Sequence, residues 1–199
     1  LTEPSALSIT VSGTNISCNG GNDGTATANV SGGTTPYTYL WDVNAASQTS
    51  QTATGLIADV YCVTTTDALG CTITDCITLT EPSILVVDTN TLTIVNASCN
   101  GFNDGSATVT PQGGTPSYTY QWDANATNQT TATATGLMAG VYCVTVTDSL
   151  GCTANVCATI TEPTTVTVSI GVTSNYNGSS ITCNGECDGQ ITATPSGGV

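Results

Sequence analysis

Val60–Leu79 reads VYCVTTTDALGCTITDCITL, two runs of alternating apolar and polar residues on either side of Asp67-Ala68-Leu69-Gly70. Alternation with period two marks a half-buried strand, and Asp-x-x-Gly is turn chemistry, so the stretch predicts a β-hairpin. With the turn at 67–70, facing residues have numbers that sum to 138, which sets Cys62 opposite Cys76. That pair shares a polar face with Thr64, Thr66, Thr72, Thr74 and Thr78. The opposite face carries Tyr61, Val63, Cys71, Ile73, Ile77 and Leu79, and is expected to look inward. Cys71 then needs a partner from another strand, and the cysteine left nearby is Cys18. The expected bridges are Cys62–Cys76 and Cys18–Cys71 and, shifted by 81 positions, Cys143–Cys157 and Cys99–Cys152. Chain entropy makes the longer loop worth roughly 4 kcal/mol and the hairpin bridge roughly 3 kcal/mol.

Outward from the hairpin, the chain repeats itself. SCNGGNDG at Ser17–Gly24 returns as SCNGFNDG at Ser98–Gly105 and as TCNGECDG at Thr182–Gly189. From Cys18 to Glu81 and from Cys99 to Glu162 are both 63 positions, whereas the closing Pro and the next Cys are 14, 17 and 20 apart. A body of fixed length with an adjustable entering segment is the signature of a module array. The expected division is 1–4 as the tail of a preceding repeat, 5–82 and 83–163 as two repeats, and 164–199 as the first part of a third, truncated one. Cys183 lacks its hairpin within the sequence, so it either bridges Cys187 or both await residues beyond Val199.

Composition narrows the function. The net charge of −14 is carried by Asp and Glu alone, with no Lys, Arg or His. Nucleic acid and anionic membranes both recruit cationic side chains, so neither is an expected partner. Without His or Lys the usual general base, transition-metal ligand and Schiff-base nucleophile are missing, which weighs against an enzyme. Ten cysteines point to an oxidising, extracellular setting. No run is long and apolar enough for a membrane span.

Short β-branched segments recur between turn signals, and no helical periodicity is sustained. Strands are expected near Leu7–Ser12, Ile16–Cys18, Thr25–Val30, Tyr37–Asp42, Thr49–Thr54, Val60–Thr66 and Cys71–Thr80. The fold class is therefore all-β, tandem immunoglobulin-like β-sandwich repeats of about 80 residues held by disulfides. Tyr37, Tyr39 and Trp41 alternate along one face of their strand, as do Tyr118, Tyr120 and Trp122, reading as a buried ladder or else a sugar-stacking platform.

The ordered words CNGGNDG, SGG..PYTYLWD, TGLIADVYCVTTTDALGCT and TEP, with their second set CNGFNDGSATVTPQGGTPSYTYQWD, TGLMAGVYCVTVTDSLGCT and TEP, resemble the SprB repeat of Bacteroidota cell-surface adhesins. The resemblance implies a long, outer-membrane-attached extracellular protein exported by type IX secretion and used in adhesion and gliding motility. Its expected partners are neighbouring repeats, identical chains in a filament, and an extracellular surface or glycan. The Cys62–Cys76 pair and its copy are additions to the two-cysteine pattern of that repeat.

Three further kinds of site are candidates. If Cys18 joins Cys71, Asn22 and Asp23 lie beside Asp67, and Asp104 beside Asp148; such oxygen clusters could hold Ca2+, or the same residues are turn chemistry alone. Glu3-Pro4, Glu81-Pro82 and Glu162-Pro163 read as stiff linkers whose carboxylates are solvated or hold a junction ion. Asp148-Ser149-Leu150 resembles a bacterial O-glycosylation signal, which makes Ser149 a candidate acceptor. The alternative to a structural and adhesive array is a carbohydrate-binding one, dependent on calcium.

Overall fold

The computed structural model describes residues 4–175, 180, 182–183 and 188–198. Within them the chain is all-β. The first copy contributes β1 (Ser8–Thr14), β2 (Gly24–Ser31), β3 (Thr38–Trp41), β4 (Thr52–Leu56), β5 (Asp59–Thr66) and β6 (Thr72–Leu79). These form two antiparallel sheets, in the orders β1-β2-β4 and β3-β5-β6. The register of β5 on β6 sets Cys62 on Cys76 and Tyr61 on Ile77, as the hairpin parity requires.

The two sheets close over one core because their inner faces differ in size. Ala26, Ala28 and Ala53 from the first sheet and Trp41, Tyr61, Val63 and Leu79 from the second belong to a single buried cluster, sealed by Ile16 and Leu56. Small residues on one sheet leave the depth that Trp41 and Tyr61 fill on the other, as dense packing demands. Each aromatic also satisfies its polar end: the Trp41 indole N–H donates to the Ser50 carbonyl oxygen at 2.9 Å, and Tyr61 OH donates to that of Ile57 at 2.9 Å. This two-sheet packing is an immunoglobulin-like sandwich.

The second copy repeats the plan with β7 (Leu92–Val95), β8 (Gly105–Val109), β9 (Thr119–Trp122), β10 (Thr133–Leu137), β11 (Gly140–Thr147) and β12 (Thr153–Ile160), in sheets β7-β8-β10 and β9-β11-β12. Two single-turn 3-10 helices, Thr89–Thr91 and Ala124–Ala126, interrupt its loops. The third copy contributes an antiparallel pair, β13 (Thr164–Val172) and β14 (Ile191–Gly198). The chain divides into two compact units, Leu1–Asp88 with Pro111–Tyr120 and Thr145–Asn155, and Thr89–Thr110 with Gln121–Val144 and Val156–Val199. The division falls inside the second copy, whose turn and Gly-Gly loop group with the first.

Two expectations need correction. Ile16–Cys18 is not a strand: Ile16 is buried and its N–H donates to the Thr80 carbonyl oxygen, and the chain turns immediately after it. Cys71 is exposed and not inward-facing. It lies between Gly70, at φ +86°, and the first residue of β6, so the alternation of the strand does not reach it.

Position 65 records a small defect. Thr65 lies on the inner face of β5, fully buried, and its hydroxyl finds no hydrogen-bond partner. The same position in the second copy is Val146, also fully buried. Removing an unsatisfied buried hydroxyl without changing shape is stabilising, so Thr65→Val is expected to raise unfolding free energy by about 1–2 kcal/mol in urea titration. A loss of stability would mean that the hydroxyl does find a partner.

Candidate functional site at the repeat junction

The CNG loop is shaped by its own aspartate. Ser17 N–H donates to Asp23 Oδ1 at 3.1 Å and the Ser17 hydroxyl donates to Oδ2. Ser98 treats Asp104 in the same way, and Thr182 treats Asp188. The hydroxyl donor, helped by the backbone N–H, holds each of these three carboxyls below its usual range. The Ser/Thr six residues before the Asp is therefore a structural requirement of the loop.

A second latch fastens that loop to the end of its own repeat. Glu81 Oε1 accepts from Asn19 Nδ2 at 2.9 Å and Oε2 from the Gly20 N–H at 2.7 Å, while Asn19 Nδ2 also reaches the Pro82 carbonyl oxygen. Glu162 holds Asn100 and Gly101 at 2.8 and 2.7 Å in the second copy. Asn15 Oδ1 accepts from Thr80 N–H, and Asn96 Oδ1 from Thr161 N–H. These bonds tie together the two ends of each body, Cys18 to Glu81 and Cys99 to Glu162, which are both 63 positions apart. The Glu of the closing word is a latch and not a free linker charge; Glu3 lies outside the described residues.

The hairpin turn is organised by Asp67. Its Oδ1 accepts from Leu69 and Cys71 N–H, both at 2.9 Å, and its Oδ2 from Thr34 N–H at 3.0 Å, in the Gly-Gly loop. These N–H donors, Thr34 foremost, hold the carboxyl below its usual value although its burial opposes ionisation. Asp148 is more affected by burial, yet donors at Thr115, Cys152, Leu150 and Gly151 outweigh it and its carboxyl is also lowered. Gly33 is required here, since a Cβ at that position would stand 2.9 Å from Asp67 Oδ2 on a backbone at φ +62°.

The structure distributes the calcium candidates over separate tasks. Asp23 and Asp104 serve the CNG loops, Asp67 and Asp148 the turns, and Asn22 is exposed. Among the described residues no three His, Cys, Asp or Glu side chains form a metal-binding group. Ser149 is exposed and its hydroxyl donates to the Thr115 and Pro116 carbonyl oxygens.

The cysteines meet differently from expectation in one respect. Cys62 is bonded to Cys76 and Cys143 to Cys157, each across 14 positions of its own hairpin. Asp42 and Asp123 aid that placement, accepting from the N–H of Cys62 and Cys143 at 2.8 and 2.9 Å. Cys18, however, is bonded to Cys152, 134 positions away, and not to Cys71. The Cys99–Cys152 expectation falls with it, and Cys71, Cys99 and Cys183 are exposed thiols. The physical reason is that Cys71 sits on a turn facing solvent, while the latched CNG loop presents Cys18 to the equivalent turn of the following copy. Cys152 Sγ lies 3.3 Å from the Ser17 carbonyl oxygen. Cys187 lies outside the described residues.

Tandem β-sandwiches whose loops are latched by carboxylates and whose first copy is bonded to the second define a disulfide-linked, immunoglobulin-like repeat protein. Residues 10–46 and 91–127 match the family model of the SprB repeat, two segments 81 positions apart. Those segments, which include the CNG loop and the Trp-Asp word of each copy, are similar to the SprB repeat.

No curated protein matches the chain. Among solved structures it is similar to a C-terminal 282-residue fragment of intimin in complex with the intimin-binding domain of the translocated intimin receptor, at 16% identity, 81% of this chain, 66% of that one and a TM-score of 0.44. It is also similar to domains 4–9 of the surface layer protein SbsC, at 14% identity, 98% and 36% coverage and a TM-score of 0.33. The N-terminal eight Ig domains of Down syndrome cell adhesion molecule give 12% identity, 77% and 25% coverage and a TM-score of 0.33. Among the described residues no helix is long and apolar enough to cross a membrane.

Proposed function

We propose that the chain is a non-catalytic, structural and adhesive segment of an extracellular bacterial surface protein, where its task is length, toughness and contact. The observation that carries this reading is the Cys18–Cys152 bond, which joins one copy of the repeat to the next covalently. A chain without a single cation has no internal ion pairs to hold its copies together. Backbone ladders and carboxylate-to-N–H latches hold each copy, and the Cys18–Cys152 disulfide joins the first copy to the second. The SprB likeness extends the proposal to export by type IX secretion and to a surface adhesin of gliding Bacteroidota, anchored at the outer membrane.

The carbohydrate-binding alternative depends on an open aromatic platform. Trp41 and Trp122 are 1% and 0% exposed, and their indole N–H groups donate to the carbonyl oxygens of Ser50 and Thr131. Neither ring has a free face for a sugar. The test is detachment force: beads carrying the oxidised chain are pressed onto hydroxylated, apolar and mucin-coated glass and pulled away. The expected result is stronger attachment than with beads carrying an unrelated acidic protein, unaffected by millimolar free sugars. Attachment equal to that control would sink the adhesive reading, and release by one simple sugar would favour the carbohydrate-binding one.

A further inference from the structure

The bond between Cys18 and Cys152 has a surrounding that can be compared copy by copy. Cys18 and Asn19 of the first copy border a hollow of about 420 Å³ with Ile84, Leu85, Gly151 and Cys152 of the second. Cys99 and Asn100 border another hollow, of about 480 Å³, with Pro163, Val166, Gly197 and Gly198. The likeness between the two places goes beyond the cysteine. Asn100 is latched to Glu162 as Asn19 is to Glu81, and its Oδ1 further accepts from the Thr165 hydroxyl at 3.0 Å. A Cβ on Gly113 would collide with the Ile84 carbonyl oxygen, and one on Gly197 with that of Thr165, so the entering segment and Gly-Gly loop are docked alike in both copies. What distinguishes the second hollow is that nothing among the described residues fills the place of Gly151-Cys152-Thr153, and Cys99 is an exposed thiol.

We propose that the hollow beside Cys99 is a socket for the Gly-Cys turn of a further copy of the repeat built on β13 and β14, and that Cys99 bonds the cysteine of that turn. The turn that fits is known from its other copies. Asp148 holds Cys152 N–H at 2.9 Å, and Asp67 holds Cys71 N–H at the same distance, so the thiol-bearing turn is shaped before it meets a partner. By the same rule Cys71 is the complementary half, a turn cysteine whose partner is the CNG cysteine of another copy. Bond formation removes one proton and one electron from each thiol. A small-molecule disulfide such as oxidised glutathione accepts both electrons and both protons and leaves as two thiols, which balances the step. The inference concerns linkage alone and does not depend on what surface the protein grips.

The test joins a second Thr115–Pro163 segment to the full chain directly after Gly198, which completes the third copy, and oxidises the product in a glutathione buffer. Peptide mass mapping is expected to find Cys99 linked to the appended copy of Cys152. A Cys99→Ser variant is expected to leave that appended cysteine a thiol. The bridge between the appended copies of Cys143 and Cys157 reports that the added segment has folded. With that bridge present, a Cys99 that stays free, or an appended Cys152 linked to Cys183, overturns the proposal. The unextended chain supplies an independent check: Cys18→Ser is expected to free the Cys152 thiol, and a Cys18–Cys71 link in the parent chain overturns the pairing rule itself.

Discussion

Pulled from its two ends, the reduced chain is expected to reach a contour length about 440–480 Å greater than the oxidised one. The bridge from Cys18 to Cys152 encloses 134 positions, and an extended chain gives about 3.3–3.6 Å per residue. While the bridge is intact, force passes through the sulfur atoms and residues 19–151 are shielded, whatever the state of the strands within. The hairpin bridges add nothing to the difference, because Cys62–Cys76 lies wholly inside the shielded loop and Cys143–Cys157 overlaps its end. Optical-tweezer traces with and without reductant read the quantity directly. A Cys152→Ser chain in oxidising buffer loses the long bridge but keeps the two hairpin bridges, each holding back 14 positions, so it is expected to stop about 90–100 Å short of the fully reduced length. Equal lengths in all three samples would remove the mechanical basis of the proposed function. Closing so long a loop is worth at most roughly 5 kcal/mol to stability by chain entropy, less what the inner hairpin bridges already remove.

Trp41→Ala is expected to destabilise the first copy by about 3–5 kcal/mol, the usual cost of emptying a large aromatic site. A repeat of this size has little more than that to lose. The chain has two tryptophans, so the variant leaves Trp122 as the sole indole reporter, on the second copy. Urea titration followed by circular dichroism is expected to show an early transition from the first copy, with Trp122 emission changing at higher denaturant. A free-energy change below about 1 kcal/mol would mean that the ring at position 41 is not a core element but an exposed platform.

Much of this was legible in the hairpin Val60–Leu79, because burial of one strand face forces a period of two and a turn of known residues fixes the register. That is why Cys62 and Cys76 could be set opposite each other by arithmetic. The same arithmetic misled at Cys71, where it was carried one residue too far, into a turn whose backbone no longer alternates. A deeper limit applies to Cys18. In a tandem array Cys71 and Cys152 are the same word in successive copies, so composition and spacing alone cannot distinguish a partner within the repeat from one in the next. Only the direction in which the latched loop points decides, and that is a property of folded geometry. The Glu81 latch had a partial signal, since the CNG word and the TEP word recur together at a constant separation in both copies, but which atoms join them is set by the folded loop. The Ser17–Asp23 clamp had its own signal, in the Ser or Thr that precedes Cys in all three copies.

The bond between Cys18 and Cys152 also has a symmetry. It joins two different parts of the repeat, a CNG loop on one copy and a Gly-Cys turn on the other, so it is a heterologous contact and not a self-complementary one. Heterologous contacts do not terminate in pairs: unless the rotation between copies closes a ring, each addition leaves one loop and one turn unused at opposite ends. The repeat is therefore polar, with a hook and an eye, and Cys71 and Cys99 are the unused eye and hook of the pair described here.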